Sequence, residues 1–293
     1  MKKKTVLVTG ATGRQGGATA QRLLANGFHV RAFVRDPASV GARRLAQAGA
    51  ELAVGDMDDR GSLEAAMRGA YGAFSLQPSL IPPHFSENEL QQGFNVADAA
   101  RSAHVRHLVY VSVGGADRDT AIPHWQIKGQ IEDYIRSLGV PFTMLRPTMF
   151  MENYADPTYG VTSDNSVLRM IPPSTIVQHI AIADIGAFAA LAFGEPGRFI
   201  GQAMELAGDE LTRDDIILAI GRIIRRPIVG LEIPRTSMAN ASGHRSDEQL
   251  ARFGGWDADI PALRALYPPL MTFEVWLRQG GAASIEALLN RSR

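Results

Sequence analysis

Val6-Leu-Val-Thr-Gly10-Ala-Thr-Gly13-Arg-Gln-Gly16-Gly17 stands a few residues into the chain. Its apolar, β-branched opening reads as a buried strand, and the glycines that follow let the backbone turn tightly and start a helix with its amides exposed. Free N–H groups and the positive end of the helix dipole favour an anion there. A side chain larger than hydrogen would hold phosphates off, so the segment suits a diphosphate. The spacing is Gly-x-x-Gly-x-x-Gly and differs from the common Gly-x-Gly-x-x-Gly fingerprint. A strand-to-helix turn also uses glycine for steric reasons alone, so the neighbouring sequence has to decide.

That context is a strand–helix–strand unit. Ala18 to Asn26 has helical composition and ends at Gly27, a C′ glycine, and Phe28-His-Val-Arg-Ala-Phe-Val34 alternates as a strand. The unit from Thr5 to Val34 has the length of about 30 residues that a dinucleotide-binding βαβ unit needs. An acid about 20 residues past the glycines holds a ribose 2′-hydroxyl, whereas an arginine accommodates a 2′-phosphate. Arg35 occupies this place, and Arg14 inside the glycine loop adds charge, which favours NADP(H). Asp36 is the competing ligand, and a strand one residue longer would turn the preference to NAD(H).

The 293 residues are 45% hydrophobic, with thirty basic and thirty acidic side chains. Neutrality removes the electrostatic footprint of a nucleic-acid binder, so no direct nucleic-acid partner is expected. With no cysteine, disulfides, thiolate nucleophiles and cysteine-ligated zinc are excluded, and no metal site is expected. Met1-Lys-Lys-Lys4 precedes a strand too short and glycine-broken for a signal-peptide core, and the apolar stretch Ile180 to Gly194 is interrupted by Asp184. A cytoplasmic protein without a membrane partner is the expectation.

Strand and helix signals alternate as a doubly wound parallel α/β sheet requires. Glu51-Leu-Ala-Val54 reads as the third strand, helix Ser62 to Met67 follows, and strands at Gly72 to Leu76, Leu108 to Ser112 and Phe142 to Leu145 come later. Ligands lie outside the carboxyl ends of such strands, which places Asp56, Met57 and Asp58 beside the adenine end of a dinucleotide. Asp58 and Asp59 equally suit the start of the next helix. Tyr154 to Pro173 reads as a loop-rich excursion, Thr175 to Phe193 returns to the first lobe, and Ala203 to Leu206 is a strand. Thr212 then caps a helix that Pro227 ends, with a strand-like run from Ile228 to Ile233.

Seven segments together resemble the NmrA-like family, an atypical branch of the short-chain dehydrogenase/reductases that includes NADPH-sensing regulators and quinone reductases. They are Gly10-Ala-Thr-Gly-Arg-Gln-Gly-Gly17, Val34-Arg-Asp-Pro37, Gly55-Asp-Met-Asp-Asp59, Leu108-Val-Tyr-Val-Ser112, His124-Trp-Gln-Ile-Lys128, Arg146-Pro-Thr-Met-Phe-Met-Glu-Asn153 and Ala183-Asp-Ile-Gly186. A weaker echo lies at Met271-Thr-Phe-Glu-Val-Trp-Leu277. The resemblance implies a Rossmann-like lobe, residues 1–153 plus about 175–208, and a smaller discontinuous lobe of 154–174 and 209–293, with a small-molecule acceptor in the cleft between them. It implies NADP(H) on Gly10, Thr12, Gly13, Arg14, Gln15, Gly16, Arg35, Asp56, Met57, Gln77, Lys128 and Phe150. It also implies Lys128, His124 and Ser112 as the residues nearest the chemistry.

Short-chain reductases carry a tyrosine one helical turn before the lysine, so both project from one face. The lysine holds the nicotinamide ribose and helps the phenol protonate a carbonyl that receives hydride. Here His124 replaces that tyrosine, and three accounts stand open. The imidazole is the acid; or Lys128 polarises the acceptor, or serves only as a ribose ligand, while the acceptor draws protons from solvent; or the chain does not catalyse. Ser112 suits a substrate or amide oxygen and is equally an ordinary turn residue. Phe150 suits the nicotinamide face or plain packing. Gln77-Pro-Ser-Leu-Ile-Pro-Pro-His84 suggests a rigid flap, Tyr159 lies in the excursion, and Met238, Phe253, Trp256, Tyr267 and Met271 suit a substrate pocket or, for most of them, core. Two functions follow: an oxidoreductase that passes hydride from NADPH to a small carbonyl, enone or quinone, or a sensor of the NADPH/NADP balance that works through protein partners. The sequence leaves a homodimer open.

Overall fold

The computed structural model describes residues 3–78, 87–120, 122–156, 160–161, 166–167, 176–230 and 255–290. They form two compact units, Met1–Arg146 with Ala183–Met204, and Pro147–Ile182 with Glu205–Arg293.

The first unit alternates strands and helices: β1 (Thr5–Val8), α1 (Arg14–Ala25), β2 (His29–Val34), α2 (Val40–Gln47), β3 (Glu51–Val54), α3 (Arg60–Met67), β4 (Gly72–Ser75), α4 (Glu87–Ser102), β5 (His107–Val111), α5 (Pro123–Ser137) and β6 (Phe142–Pro147). Val6, Leu7 and Val8 are fully buried, as a strand covered by helices on both faces must be. Pairings β1–β2, β1–β4, β2–β3, β4–β5 and β5–β6 are all parallel, with Val6 opposite both Val30 and Gly72. A strand at Ala203–Leu206 completes the row beyond β6, where Met144 N donates to Gln202 O and Thr148 N to Leu206 O in step. The seven-stranded parallel sheet therefore reads β3-β2-β1-β4-β5-β6 and then this last strand. It is the doubly wound α/β fold expected from the sequence. Its order reverses between β1 and β4, the switch point where such sheets open a crevice.

Helix α1 begins at Arg14, four residues ahead of the expected Ala18, so the glycines themselves form its first turn. Its end follows the sequence reading: Gly27 takes φ +81°, and Phe28 N donates back to Leu23 O. On one face of the sheet, Leu7, Phe33, Leu63, Met67, Leu108, Tyr110, Ile131 and Met144 make one apolar cluster. On the other, Phe193 lies against Gly72, where an added Cβ would come within 2.6 Å of the ring.

The second unit carries β7 (Met149–Phe150), a single 3₁₀ turn at Met151–Ala155, β8 (Ser166–Val167), β9 (Ile176–Ile180), β11 (Asp209–Thr212) and β12 (Val229–Gly230), with β10 being the strand at Ala203–Leu206. β9 pairs antiparallel with β11 and parallel with β7, and residues 147–153, 175–182 and 205–208, read above with the first lobe, fall in the second unit. Helix α6 (Ile182–Gly194) leads back into the first unit, followed by the short helical turn α7 (Pro196–Phe199). Helix α8 (Arg213–Ile224) starts on a capping box in which Thr212 and Asp215 exchange side-chain and backbone bonds. It stops at Ile224, two residues before Arg226 and Pro227 would end it, where Arg225 turns left-handed at φ 55° as the C-cap and donates its N–H to Gly221 O. Ile216, Ile220, Ile224, Tyr154, Phe273, Trp276, Ile285 and Leu289 form the core of this unit, with Trp256 and Met271 packed against it. The suggested flap beyond Pro78, Tyr159, residues 231–233, Met238 and Phe253 lie outside the described residues. None of the helices among the described residues is long and apolar enough to cross a membrane.

Candidate functional site

Parallel strands bring the candidates of the first unit to one edge. The glycine loop follows β1, Arg35 follows β2, Asp56 and Met57 follow β3, Gln77 follows β4 and Ser112 follows β5. Thr9 fastens the loop across the switch point, its Oγ1 donating to Leu76 O at 3.0 Å and accepting from Leu76 N at 2.8 Å. Gly10 then turns left-handed at φ +61°, and Gly13 N donates to Gly10 O at 2.9 Å. Gly13 is the N-cap of α1 and, lacking a side chain, leaves the first-turn amides without a side-chain cap. An added Cβ at Gly16 would lie 2.2 Å from Gly10 O, while at Gly13 the nearest atom is Gly10 O at 3.3 Å. Gly16 thus allows the helix to press against the turn, and Gly13 keeps the space before its amides clear.

The residues around this edge fit a dinucleotide. Gln15 Oε1, Gln77 Oε1 and Ser112 Oγ are buried and without hydrogen-bond partners among the described residues, although Gln77 Nε2 donates to Ser75 Oγ at 2.9 Å. Buried polar atoms are nearly always paired, so two orphans just past strand ends and a third in the first turn of α1, beside uncapped amides, point to a polar ligand. Thr12, Arg14 and Arg35 are exposed at the same edge. Among the described residues Arg35 forms no ion pair. β2 ends at Val34, and Asp36 Oδ1 accepts from Ala38 N at 2.8 Å, shaping the turn into α2.

The aspartates after β3 divide similarly. Asp59 caps α3 by accepting from Gly61 N, and Asp58 accepts from Gln92 on α4 at 3.0 Å. Asp56 Oδ1 accepts from Asp58 N, and Met57 O accepts from Asn95 at 2.9 Å, so this turn is held rigidly against α4. Asp56 and Met57 remain half-buried at the sheet edge.

Helix α5 opens with Pro123 and carries His124, half-buried beside Trp125, and one turn later Lys128. Lys128 is buried, and its Nζ lies 2.8 Å from Oε1 of Glu89, with side chains only 9% and 3% exposed. Sequence reasoning passed over Glu89, because nothing local in the run Glu87-Asn-Glu-Leu90 announces a lysine on another helix. It also passed over Tyr110, whose fully buried hydroxyl has no hydrogen-bond partner among the described residues. Burial, reinforced by the carboxylates of Glu89 and Glu132, pushes that phenol well above its ordinary range and keeps it protonated. Arg146, from the Arg146-Pro-Thr segment, is structural: it forks onto Glu132 of α5 at 2.9 and 2.6 Å and also reaches Asp117. Phe150 belongs to the second unit, half-buried on β7 opposite Ile180.

The family model described as the NmrA-like family matches residues 2–256. Among curated relatives, the NmrA-like oxidoreductase FrzB of Cladobotryum sp is 37% identical over 163 residues, which is 51% of this chain and 47% of that protein, so this chain aligns with about half of it. A (4-alkanoyl-5-oxo-2,5-dihydrofuran-3-yl)methyl phosphate reductase of Streptomyces griseus is 32% identical over 241 residues, 80% of each chain. Among solved structures, NmrA, a negative transcriptional regulator, superposes with a TM-score of 0.78 at 22% identity over 98% of both chains. An NADPH-dependent quinone oxidoreductase of Escherichia coli, complexed with NADPH, gives 0.78 at 23% identity over 94% of this chain and 99% of its own. Sequence family and fold agree: this chain belongs to the NmrA-like family.

Proposed function

We propose that this protein is an NADP(H)-dependent oxidoreductase acting on a small carbonyl, enone or quinone. The observation that carries the reading is the glycine turn at the switch point, opening α1 with uncapped amides, with Arg35 exposed just beyond the adjacent strand. The α1 amides and the turn of Gly10, Thr12, Gly13 and Gly16 hold a diphosphate. Arg35, helped by Arg14, grips the 2′-phosphate through a forked guanidinium, which makes NADP(H) the partner rather than NAD(H). Asp56 and Met57 flank the adenine, and Gln15 and Gln77 turn their orphan oxygens to the bound molecule. Phe150 is assigned to the nicotinamide on the family resemblance. When bound, the nicotinamide supplies hydride, and the protein supplies orientation and charge.

At the acceptor end, Ser112 donates its otherwise unpaired hydroxyl to the acceptor oxygen, and the Lys128 ammonium stabilises charge that develops there. His124, one turn away on α5, is the candidate proton donor. The reductase names of the Streptomyces and Escherichia coli proteins support hydride chemistry. A sensing role has support of its own, since His124 stands in place of the usual tyrosine and NmrA is described as a transcriptional regulator.

The test is NADPH oxidation against a panel of quinones, aldehydes and enones, with NADPH and NADH binding measured by calorimetry. Turnover with at least one acceptor is expected, and Arg35→Ala should weaken NADPH by roughly tenfold or more while leaving NADH nearly unchanged. A wild type that prefers NADH removes the Arg35 assignment. Absence of turnover with every acceptor, with NADPH binding that alters protease sensitivity, replaces catalysis by sensing.

A further inference from the structure

We infer that Glu89 is a positioning residue for Lys128, fixing from a neighbouring helix where the ammonium stands. The inference rests on the reading of Lys128 as a residue that meets the cofactor or acceptor. Its geometry is independent of that reading. Glu89 is the third residue of α4, where the positive end of the helix dipole favours a carboxylate, and Lys128 lies in the second turn of α5. Both helices follow strands of the parallel sheet, so both begin at its carboxyl edge.

What lets the two side chains meet is a glycine. At Gly93, one turn beyond Glu89, an added Cβ would lie 2.6 Å from Ile131 Cδ1, and Ile131 is one turn beyond Lys128. The helices touch at Gly93 and Ile131, and the next turn toward the sheet edge is occupied by the 2.8 Å ion pair. Taking two charges out of water is costly, and well-packed apolar residues of similar size would serve stability equally well, so packing alone gives no reason for a pair here. The contact lies outside hydrogen-bond geometry at Glu89 Oε1. At 2.8 Å it anchors the ammonium by charge, and Nζ keeps further N–H donors for another acceptor. A lysine stem with four rotatable bonds would otherwise spread its head group over several ångströms.

The experiment compares Glu89→Gln, Glu89→Asp, Lys128→Met and the double variant Glu89→Gln/Lys128→Met. At saturating NADPH, Glu89→Gln should lower kcat by about 10- to 100-fold, the effect of displacing a reacting group by about 1 Å. Its NADPH affinity should fall much less. Glu89→Asp, which keeps the charge on a shorter arm, should recover part of kcat. In the Lys128→Met background Glu89→Gln should cost nothing further, and the double variant, which removes both buried charges, covers the case in which the single variant fails to fold. An equal loss of kcat with and without Lys128, or a Glu89→Gln enzyme as fast as wild type, overturns the inference.

A second readout needs no turnover. Acetylation by a water-soluble succinimidyl ester, followed by mass spectrometry, should modify Lys128 slowly in wild type and several times faster in Glu89→Asp and in folded Glu89→Gln. Unchanged rates relative to Lys3 and Lys4 overturn the positioning role. If wild type reduces no acceptor, the proposed function falls and the acetylation result alone decides the inference.

Discussion

At Gly16 an added methyl carbon would sit 2.2 Å from the Gly10 carbonyl oxygen, whereas at Gly13 that same oxygen is 3.3 Å away. Two residues of one motif are glycine for different reasons, and the difference is measurable. Gly13→Ala should still fold, losing about 1 kcal/mol because alanine is a poorer N-cap than glycine. It should bind NADPH poorly, because it adds bulk at the N-cap beside the amides proposed to hold the diphosphate. Gly16→Ala should lose about 1–3 kcal/mol of stability through overpacking against backbone that has nowhere to move. Urea unfolding beside NADPH titration separates the two, and a Gly16→Ala protein as stable as the parent would show that the turn relaxes. The motif was legible in the sequence as a glycine turn between strand and helix, but spacing alone carries no distances and could not sort these roles. The choice between Arg35 and Asp36 was open for the same reason. The structure ends β2 at Val34 and gives Asp36 a bond to Ala38 N in the turn, which supports Arg35.

At the scale of elements, α5 matters most, because it carries both His124 and Lys128 and is fixed to the sheet by charge as well as packing. Glu132 accepts from Arg146 of β6 at 2.9 and 2.6 Å and from Arg136 at 2.8 Å, with its own side chain almost fully buried. Arg146→Met leaves that carboxylate with one partner and should cost about 3 kcal/mol, the low end for breaking a buried pair because Arg136 remains. Adding Glu132→Gln should restore part of the loss, and thermal or urea melts of the three variants measure it. If the single variant unfolds like the parent, α5 is held by its apolar face alone. The order of elements was legible because hydrophobic period separates strands from helices, and the Arg146-Pro-Thr segment stood out by resemblance. Its structural use did not, and neither did Glu89, because pairing between helices depends on how closely they approach. That approach is set by Gly93 against Ile131, a contact no local pattern encodes.

Across the whole molecule, each compact unit buries a histidine that must stay neutral. In the first unit, Thr143 Oγ1 donates to Phe199 O, so it accepts from His107 Nε2 at 2.7 Å, and His107 Nδ1 has no partner among the described residues. Burial, and then the charge of Lys4, lower this imidazole to about 4. In the second unit, His179 Nε2 shares a 2.6 Å hydrogen bond with the Tyr154 hydroxyl beside the Phe273 ring, and burial lowers it to about 3. Both folded values lie below the ordinary histidine value near 6.5, so the unfolded chain binds more protons across the interval. Stability is therefore fully present above pH 6.5 and is lost as pH falls, until the folded values near 4 and 3 are passed. Each histidine contributes a slope of up to about 1.4 kcal/mol per pH unit in that window. The exposed carboxylates of Asp215 and Glu274, held below their ordinary range by hydrogen bonds from Thr212 and Arg278, act only at lower pH, which leaves the interval from 7 to 5 to the histidines. Urea midpoints measured at pH 7, 6 and 5 should decline, and His107→Gln and His179→Gln should each flatten the decline while lowering stability at pH 7. Midpoints that hold steady from pH 7 to 5 would mean that these side chains find a way to water or a counter-ion when protonated, and a decline as steep without both imidazoles would assign it to other groups.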